Sequence, residues 1–282
     1  MNKRRVLVLG ASGMAGHMIF HELRAGGAYA VWGTGHSQVP ENALIPLDVR
    51  ERSALVRILD EVRPNVIINA VGALIRESVR DPANAIRLNS VLPHDLAALA
   101  DDSGARVVHI STDCVFSGRQ GGYSEDAFRD ADDTYGRSKA LGELLRPPHL
   151  TLRTSIVGPE RRSDGSGLLA WFLRQEGTVR GYTRALWSGI TTLELARGVQ
   201  RAIESDLEGL FHVTNGQPIS KYDLLHLFHG TFPNRVSDIV ADDTLVTDKS
   251  LKKSEIFDFE VLSYSAMVAE LASHPLAKKV TT

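Results

Sequence analysis

The chain has little of several things, and each scarcity excludes something. Among 282 residues there is one cysteine, Cys114. No intrachain disulfide can form, which suits a reducing cytoplasm. No apolar run approaches the ~20 residues needed to span a bilayer, so no membrane partner is expected. The basic start, Met1-Asn2-Lys3-Arg4-Arg5, is followed only by Val6-Leu7-Val8-Leu9 before Gly10. That run is too short for a signal-peptide core, and no small-residue cleavage site lies in the right place. Neither sign of charge dominates: 32 Lys and Arg stand against 34 Asp and Glu, a net charge of −2. Nucleic acid is not an expected partner, because no basic excess exists to neutralise phosphates. Repeats and low-complexity stretches are absent too. What remains is an ordinary soluble composition, 43% hydrophobic and 23% charged, in a chain long enough for one large domain or two.

What the chain does have is alternation of strand and helix signals. Arg5 to Leu9 reads as a buried strand. Gly10-Ala11-Ser12-Gly13-Met14-Ala15-Gly16 follows it and opens a helical pattern to about Arg24. Glycines there permit a tight strand-to-helix turn. They also let backbone amides approach a pyrophosphate, and the helix N-terminus adds a favourable dipole. Gly10, Ser12, Gly13, Met14 and Gly16 are therefore candidate cofactor contacts. A second strand, about Tyr29 to Thr34, ends at Gly35-His36-Ser37. NAD sites hold the adenosine ribose with an acidic residue about 20 positions beyond the glycines. No Asp or Glu occurs between Leu23 and Pro40, which favours NADP(H) and leaves NAD(H) possible. His36 and Ser37 are placed to meet a 2′-phosphate, although no arginine sits there and either residue suits plain loop surface. Asp48 and Val49, after a short strand from Leu44 to Leu47, join the cofactor set.

A helix is expected from Arg52 to Val62, then a strand at Val66-Ile67-Ile68 that ends in Asn69-Ala70-Val71-Gly72-Ala73. Small residues at the carboxyl end of a parallel strand leave room for a ligand, so Ala70, Val71 and Gly72 join the set. A long helix from about Pro82 to Ala100 and a strand at Val107 to Ile110 follow. The latter ends in Ser111-Thr112-Asp113-Cys114-Val115-Phe116, where hydroxyls precede a long polar loop. That loop, Gly118 to Asp133, is the candidate lid. Strands alternating with helices predict a parallel sheet covered on both faces. Further strands are expected at Leu150 to Thr154 and Leu210 to Val213, with helices at Leu168 to Leu173, Thr191 to Glu204, Lys221 to Phe228 behind a Ser220 cap, and Ser265 to Ser273. A loop is expected around Arg180 and Arg184. Residues 1–155 read as a dinucleotide-binding domain. Residues 156–282 read as a smaller substrate-binding lobe with some elements returning to the main sheet.

The stretch that organises these signals is Thr134-Tyr135-Gly136-Arg137-Ser138-Lys139. A helix puts Tyr135 and Lys139 on one face, one turn apart. An ammonium beside a phenol lowers the tyrosine's pKa, so the pair can pass a proton near neutral pH. The pattern is weak alone, since chance yields about 0.17 matches in a chain of this composition. Other chemistry is thinly represented. His226 and His229 stand three apart without further ligands, so no metal site is expected. Arg161-Arg162 suits a diphosphate or plain solvent, and Cys114 reads as a small filler rather than a nucleophile.

Five stretches in order resemble one family. They are Gly10 to Gly16, Asn69 to Ala73, Ser111-Thr112-Asp113 with Val115-Phe116, Tyr135-Gly136-x-Ser138-Lys139, and Leu152-Arg153-Thr154-Ser155. Together they resemble extended short-chain dehydrogenases/reductases, and more narrowly the dTDP-4-dehydrorhamnose reductase branch. The resemblance covers about residues 4 to 160 well and Ser188-Gly189-Ile190-Thr191-Thr192 more loosely. It implies a Rossmann-type doubly wound parallel sheet and reduction of the 4-keto group of a nucleotide-linked 4-keto-6-deoxy sugar. Tyr135 would be the proton donor, Lys139 would bind the nicotinamide ribose and tune Tyr135, and Thr112 would hydrogen-bond the carbonyl oxygen. Cys114, Val115, Phe116, Ser155 and Trp187 would neighbour the substrate, and a homodimer is compatible. The family often has aromatic residues where Cys114 and Ile156 stand, so the sugar's identity stays open. An epimerase or dehydratase on the same scaffold, or a non-catalytic dinucleotide-binding subunit, are the alternatives.

Overall fold

Val6 to Leu9 and Val66 to Asn69 are buried at every position. Runs without an exposed face belong inside a parallel sheet covered on both sides. The computed structural model, which describes residues 3–36, 44–161, 165, 167–205 and 207–281, places them there. Seven parallel strands form the main sheet: β1 (Arg5–Leu9), β2 (Ala30–Gly35), β3 (Leu44–Pro46), β4 (Val66–Asn69), β5 (Arg106–Thr112), β6 (Leu150–Thr154) and β7 (Gly209–His212). Their order is β7-β6-β5-β4-β1-β2-β3. The chain runs outward from β1 through β3, then restarts on the other side with β4. That reversal leaves a crevice between β1 and β4 at the carboxyl ends of the strands, where doubly wound sheets bind ligands. The fold is the Rossmann-type α/β arrangement.

Successive residues of β1 feed opposite faces, as strand geometry requires. Val6 and Val8 join Met18, Ile19 and Leu23 of α1 (Met14–Ala25) on one side. Leu7 and Leu9 meet Leu55 and Leu59 of α2 (Arg52–Val62), and Leu96 of α3 (Leu92–Ser103), on the other. Replacing a fully buried residue such as Leu96 with alanine would cost about 2–5 kcal/mol. The first face is also covered by α5 (Thr192–Glu204), through Leu195, Val199 and Ile203. Both α5 and β7 come from the second half of the chain. Earlier in the chain comes α4 (Thr134–Leu141).

Two expectations need correction. The long helix before β5 is not uniform. A separate helix, Ile75–Arg80, comes first. Asp81 then caps Pro82–Ile86 by accepting from the Asn84 amide, and the helix passes through one π-turn at Arg87–Val91 before α3. Arg180 is not in a loop. It lies in the strand Glu176–Tyr182, which pairs in parallel with Arg235–Asp242. Farther on, α6 (Lys221–Thr231) starts behind Ser220, whose side chain accepts from the Asp223 amide, and α7 (Tyr264–Ser273) starts behind Ser263. Among the described residues no helix is long and apolar enough to cross a membrane.

Candidate active site

The cofactor candidates gather along one edge of the sheet. Gly10 follows β1 with φ +78°, and a Cβ there would lie 3.0 Å from the Ala70 backbone at the end of β4. A Cβ on Gly16 would lie 2.3 Å from the Gly10 carbonyl oxygen. Only glycine allows the two switch strands and α1 to meet this closely. Gly13 caps α1 without a side-chain hydrogen bond, so the first-turn amides around Met14 and the nearby Ser12 stay open to an anion. His36 is exposed at the end of β2, and Ser37 lies outside the described residues. Asp48 and Val49 follow β3; Ala70, Val71 and Gly72 follow β4. A dinucleotide fits this cradle.

Thr112 ends β5 on the same edge, and Asp133 caps α4 by accepting from the Gly136 amide at 2.8 Å. That cap starts the helix so that Tyr135 faces Thr112. Gly136 allows the approach, since a Cβ would lie 2.2 Å from the Cys114 carbonyl oxygen. The π-turn holds the helix from behind. Asn89 donates to Ala73 O and Ser138 Oγ, each at 3.0 Å, and Ser90 Oγ donates to Ser138 O at 2.7 Å. Such turns recur at functional sites because they re-aim side chains from an otherwise regular helix.

The charges at this cluster differ from the expectation. Burial pushes the Tyr135 phenol above its ordinary range, Cys114 adds to the rise, and a hydrogen bond with Thr112 offsets part of it. Lys139 does not lower it. Its amino group is buried and donates to Ile110 O at 2.8 Å, and burial lowers its pKa to about 8 while Glu143 opposes the fall. The phenol therefore stays protonated at neutral pH, the form a proton donor needs. Burial pushes the Cys114 thiol up to about 12, which disfavours a thiolate nucleophile.

A family model described as the RmlD substrate binding domain matches residues 4–247. The chain belongs to that family. A probable low-salt glycan biosynthesis reductase, Agl14, from Haloferax volcanii is 28% identical over 257 residues, covering 86% of this chain and 83% of its own. A dTDP-4-keto-6-deoxy-D-glucose reductase from Streptomyces niveus is 28% identical over 248 residues, covering 84% and 83%. A Bacillus anthracis dTDP-4-dehydrorhamnose reductase, solved in complex with NADP, superposes with a TM-score of 0.81 at 21% identity, covering 95% of this chain and 98% of that one.

Within this RmlD-family site not every expected substrate residue is presented. Val115 and Phe116 are fully buried in a cluster with Tyr123 and Leu251. The Phe116 ring stacks on Tyr123 at 4.0 Å with the Arg153 guanidinium over it at 4.9 Å. Their side chains offer a ligand no surface. Cys114 and Ser155 are half-buried beside Asp113. Trp187 is 3% exposed, with Lys221 over its ring at 4.8 Å and Tyr264 packed against it. The expected lid is fastened down. Ser117 holds Asp130 through its amide and hydroxyl at 2.8 and 2.6 Å, and Tyr123 exchanges backbone bonds with Ser250 and Lys252.

Two residues of this RmlD-family chain escaped the sequence. Arg50 forks onto Asp48 at 2.6 to 3.1 Å, and His36 faces the same carboxylate. A basic side chain therefore does reach the end of β2, from the loop after β3. Lys221 is the second. Burial lowers its pKa to about 8, against the pull of Asp113 and Cys114. Only tertiary structure brings either one here, so no local signal could have found them. Two other features do not belong to the site. An open groove of about 810 Å³ lies at the opposite edge, where Arg4 and Arg106 cap the carbonyls at the end of α5. His21, Glu22 and His274 meet near α1, but His274 Nδ1 accepts from the Leu276 amide at 3.3 Å. That leaves the proton on Nε2, bonded to Glu22.

Proposed function

We propose that this chain reduces the 4-keto group of a nucleotide-linked 4-keto-6-deoxy sugar with NADPH, in deoxysugar or surface polysaccharide biosynthesis. The observation that carries the reading is the meeting of Thr112, a protonated Tyr135 and a buried Lys139 on the strand edge that also bears the glycine cradle. The two relatives described above, both reductases, support the reaction class. NADPH, when bound, supplies the hydride. Gly10 to Gly16 would hold its diphosphate, and His36 with Arg50 would meet a 2′-phosphate. Tyr135 gives its proton to the carbonyl oxygen as charge develops there, and Thr112 hydrogen-bonds the same atom. Lys139 orients the ribose and the phenol. Residues 156–282 form the lobe that closes on the sugar, and a cytoplasmic location suits the chemistry.

The test is loss of reduced-nicotinamide absorbance with NADPH and NADH in parallel, on dTDP-, UDP- and GDP-linked 4-keto-6-deoxyhexoses. One substrate oxidising NADPH preferentially supports the proposal. Dinucleotide binding without oxidation of any pair would instead favour an epimerase that retains its cofactor, or a non-catalytic subunit. Tyr135→Phe should lower kcat about a thousandfold and leave dinucleotide affinity nearly unchanged. Near-normal turnover would remove Tyr135 from the reaction.

A further inference from the structure

Behind Lys139 lies a buried polar chain that the reaction above leaves unused. Asn69 ends β4 and His109 stands beside it on β5, in register. Both are 0% exposed. The Val71 amide donates to Asn69 Oδ1 at 3.1 Å. Asn69 Nδ2 lies 3.1 Å from His109 Nδ1. His109 Nε2 lies 3.3 Å from Lys139 Nζ, which also donates to Ile110 O.

The donors and acceptors of this chain can be settled one by one. A backbone N–H only donates, so the atom of Asn69 facing Val71 is its oxygen. The other arm, the NH₂, also only donates. His109 Nδ1 must therefore accept and carries no proton. A neutral imidazole then holds its proton on Nε2, aimed at Lys139. An ammonium has no lone pair to receive that proton, whereas a free amine has one. Every group is satisfied only when Lys139 is the amine; with an ammonium, two donors face each other in a water-poor core. Burial acts the same way, lowering Lys139 to about 8 and His109 well below its ordinary range. Of the groups facing the pair, Glu143 pulls Lys139 upward, while a charge on Lys139 and, less strongly, one on His94 add to the burial-driven fall at His109.

We propose that Asn69 and His109 form a tautomer lock that turns an N–H toward Lys139 and so favours its neutral amine over the ammonium in the free enzyme, which makes His109 a positioning residue for the Tyr135–Lys139 pair. The inference rests on the reading that Lys139 serves the reaction. Its main test needs no turnover, so the two can fail separately.

The experiment is nitrogen NMR of the histidine-labelled protein, with lysine titration followed on selectively labelled side chains. In the native chain His109 should show the Nε2–H tautomer at neutral and mildly alkaline pH. Asn69→Asp reverses the logic at nearly constant shape. A carboxylate accepts from both Val71 and His109, so the imidazole proton moves to Nδ1 and Nε2 becomes an acceptor for an ammonium. The variant should show the Nδ1–H tautomer. Its Lys139 should titrate at least one pH unit higher, about a tenfold shift in protonation. The limb of the kcat/KM profile that reports Lys139 should move with it. An Nδ1–H tautomer in the native chain would overturn the proposal even if the variant does not fold. So would an unchanged tautomer and Lys139 titration in a folded Asn69→Asp protein.

Discussion

Lys139 and Lys221 reach the same cluster of buried groups from different regions. Lys139 belongs to α4 on the sheet side, and Lys221 is the first residue of α6 in the lobe. Burial lowers each from 10.5 to about 8. Their surroundings differ. Lys139 has the Ile110 carbonyl and His109 within hydrogen-bond reach. Lys221 rests on the face of Trp187 at 4.8 Å, and among the described residues its ammonium makes no hydrogen bond. It also stands at a helix N-terminus, where the backbone dipole opposes a cation. Desolvation and dipole both work against this charge, and Asp113 relieves it only in part. A cation kept in such a place with its donors free is arranged for a ligand, whereas an amino group tied to the backbone is arranged to stay put. On the proposed reading, the sheet side fixes the reacting groups and the later half of the chain supplies the recognition.

Breaking the sheet side should have the largest effect. Lys139→Met is expected to lower kcat/KM about a thousandfold and to weaken dinucleotide binding, measured by steady-state kinetics and a direct titration. Unchanged dinucleotide affinity would count against its ribose contact. On the lobe side, Lys221→Met should raise the KM for the sugar nucleotide about tenfold to a hundredfold, the worth of a charge-assisted hydrogen bond, with dinucleotide affinity intact. If dinucleotide affinity fell as far, the two regions would not be doing different things.

The smallest effect is on stability and applies to both lysines. Each has a folded-state pKa below its ordinary 10.5. Between pH 8 and 10.5 the unfolded chain binds a proton at each site that the folded chain does not. Stability therefore rises with pH across that window, and the full penalty is present below it. Lys221→Met removes one share of this dependence. From pH 8 to 10 the Tm of the native chain should gain about 2–4 °C on that of the variant. A flat difference would mean that the Lys221 ammonium is well solvated in the free protein.

The same division marks what could be read in advance. β1 and β4 were legible because strands buried on both faces leave unbroken aliphatic runs, as in Val66-Ile67-Ile68. The glycine turn, α2 and the Ser220 cap carry their signals within a few residues. Glu176–Tyr182 was not legible, since most of its positions are exposed and its partner, Arg235–Asp242, lies far along the chain. The π-turn at Arg87–Val91 has no compositional signature. Tyr135, Lys139 and Thr112 were visible as residue types. Their charge states were not, because these follow from Ile110, His109 and Cys114, which other segments bring alongside. Val115 and Phe116 illustrate the reverse case, in which the family resemblance places residues near the substrate that the fold keeps fully buried.

The late arrival of β7 has a consequence for how the protein is made. β6 ends at Thr154, and the strand that covers its edge does not begin until Gly209. During synthesis the sheet therefore waits with Leu150-Thr151-Leu152 unpaired, an apolar margin of the kind that recruits strands from neighbouring chains. A fragment ending before Gly209 would keep that margin for good. The later half of the chain is thus also the cover of the sheet, and a nascent chain is safe from its neighbours only once that half has been delivered.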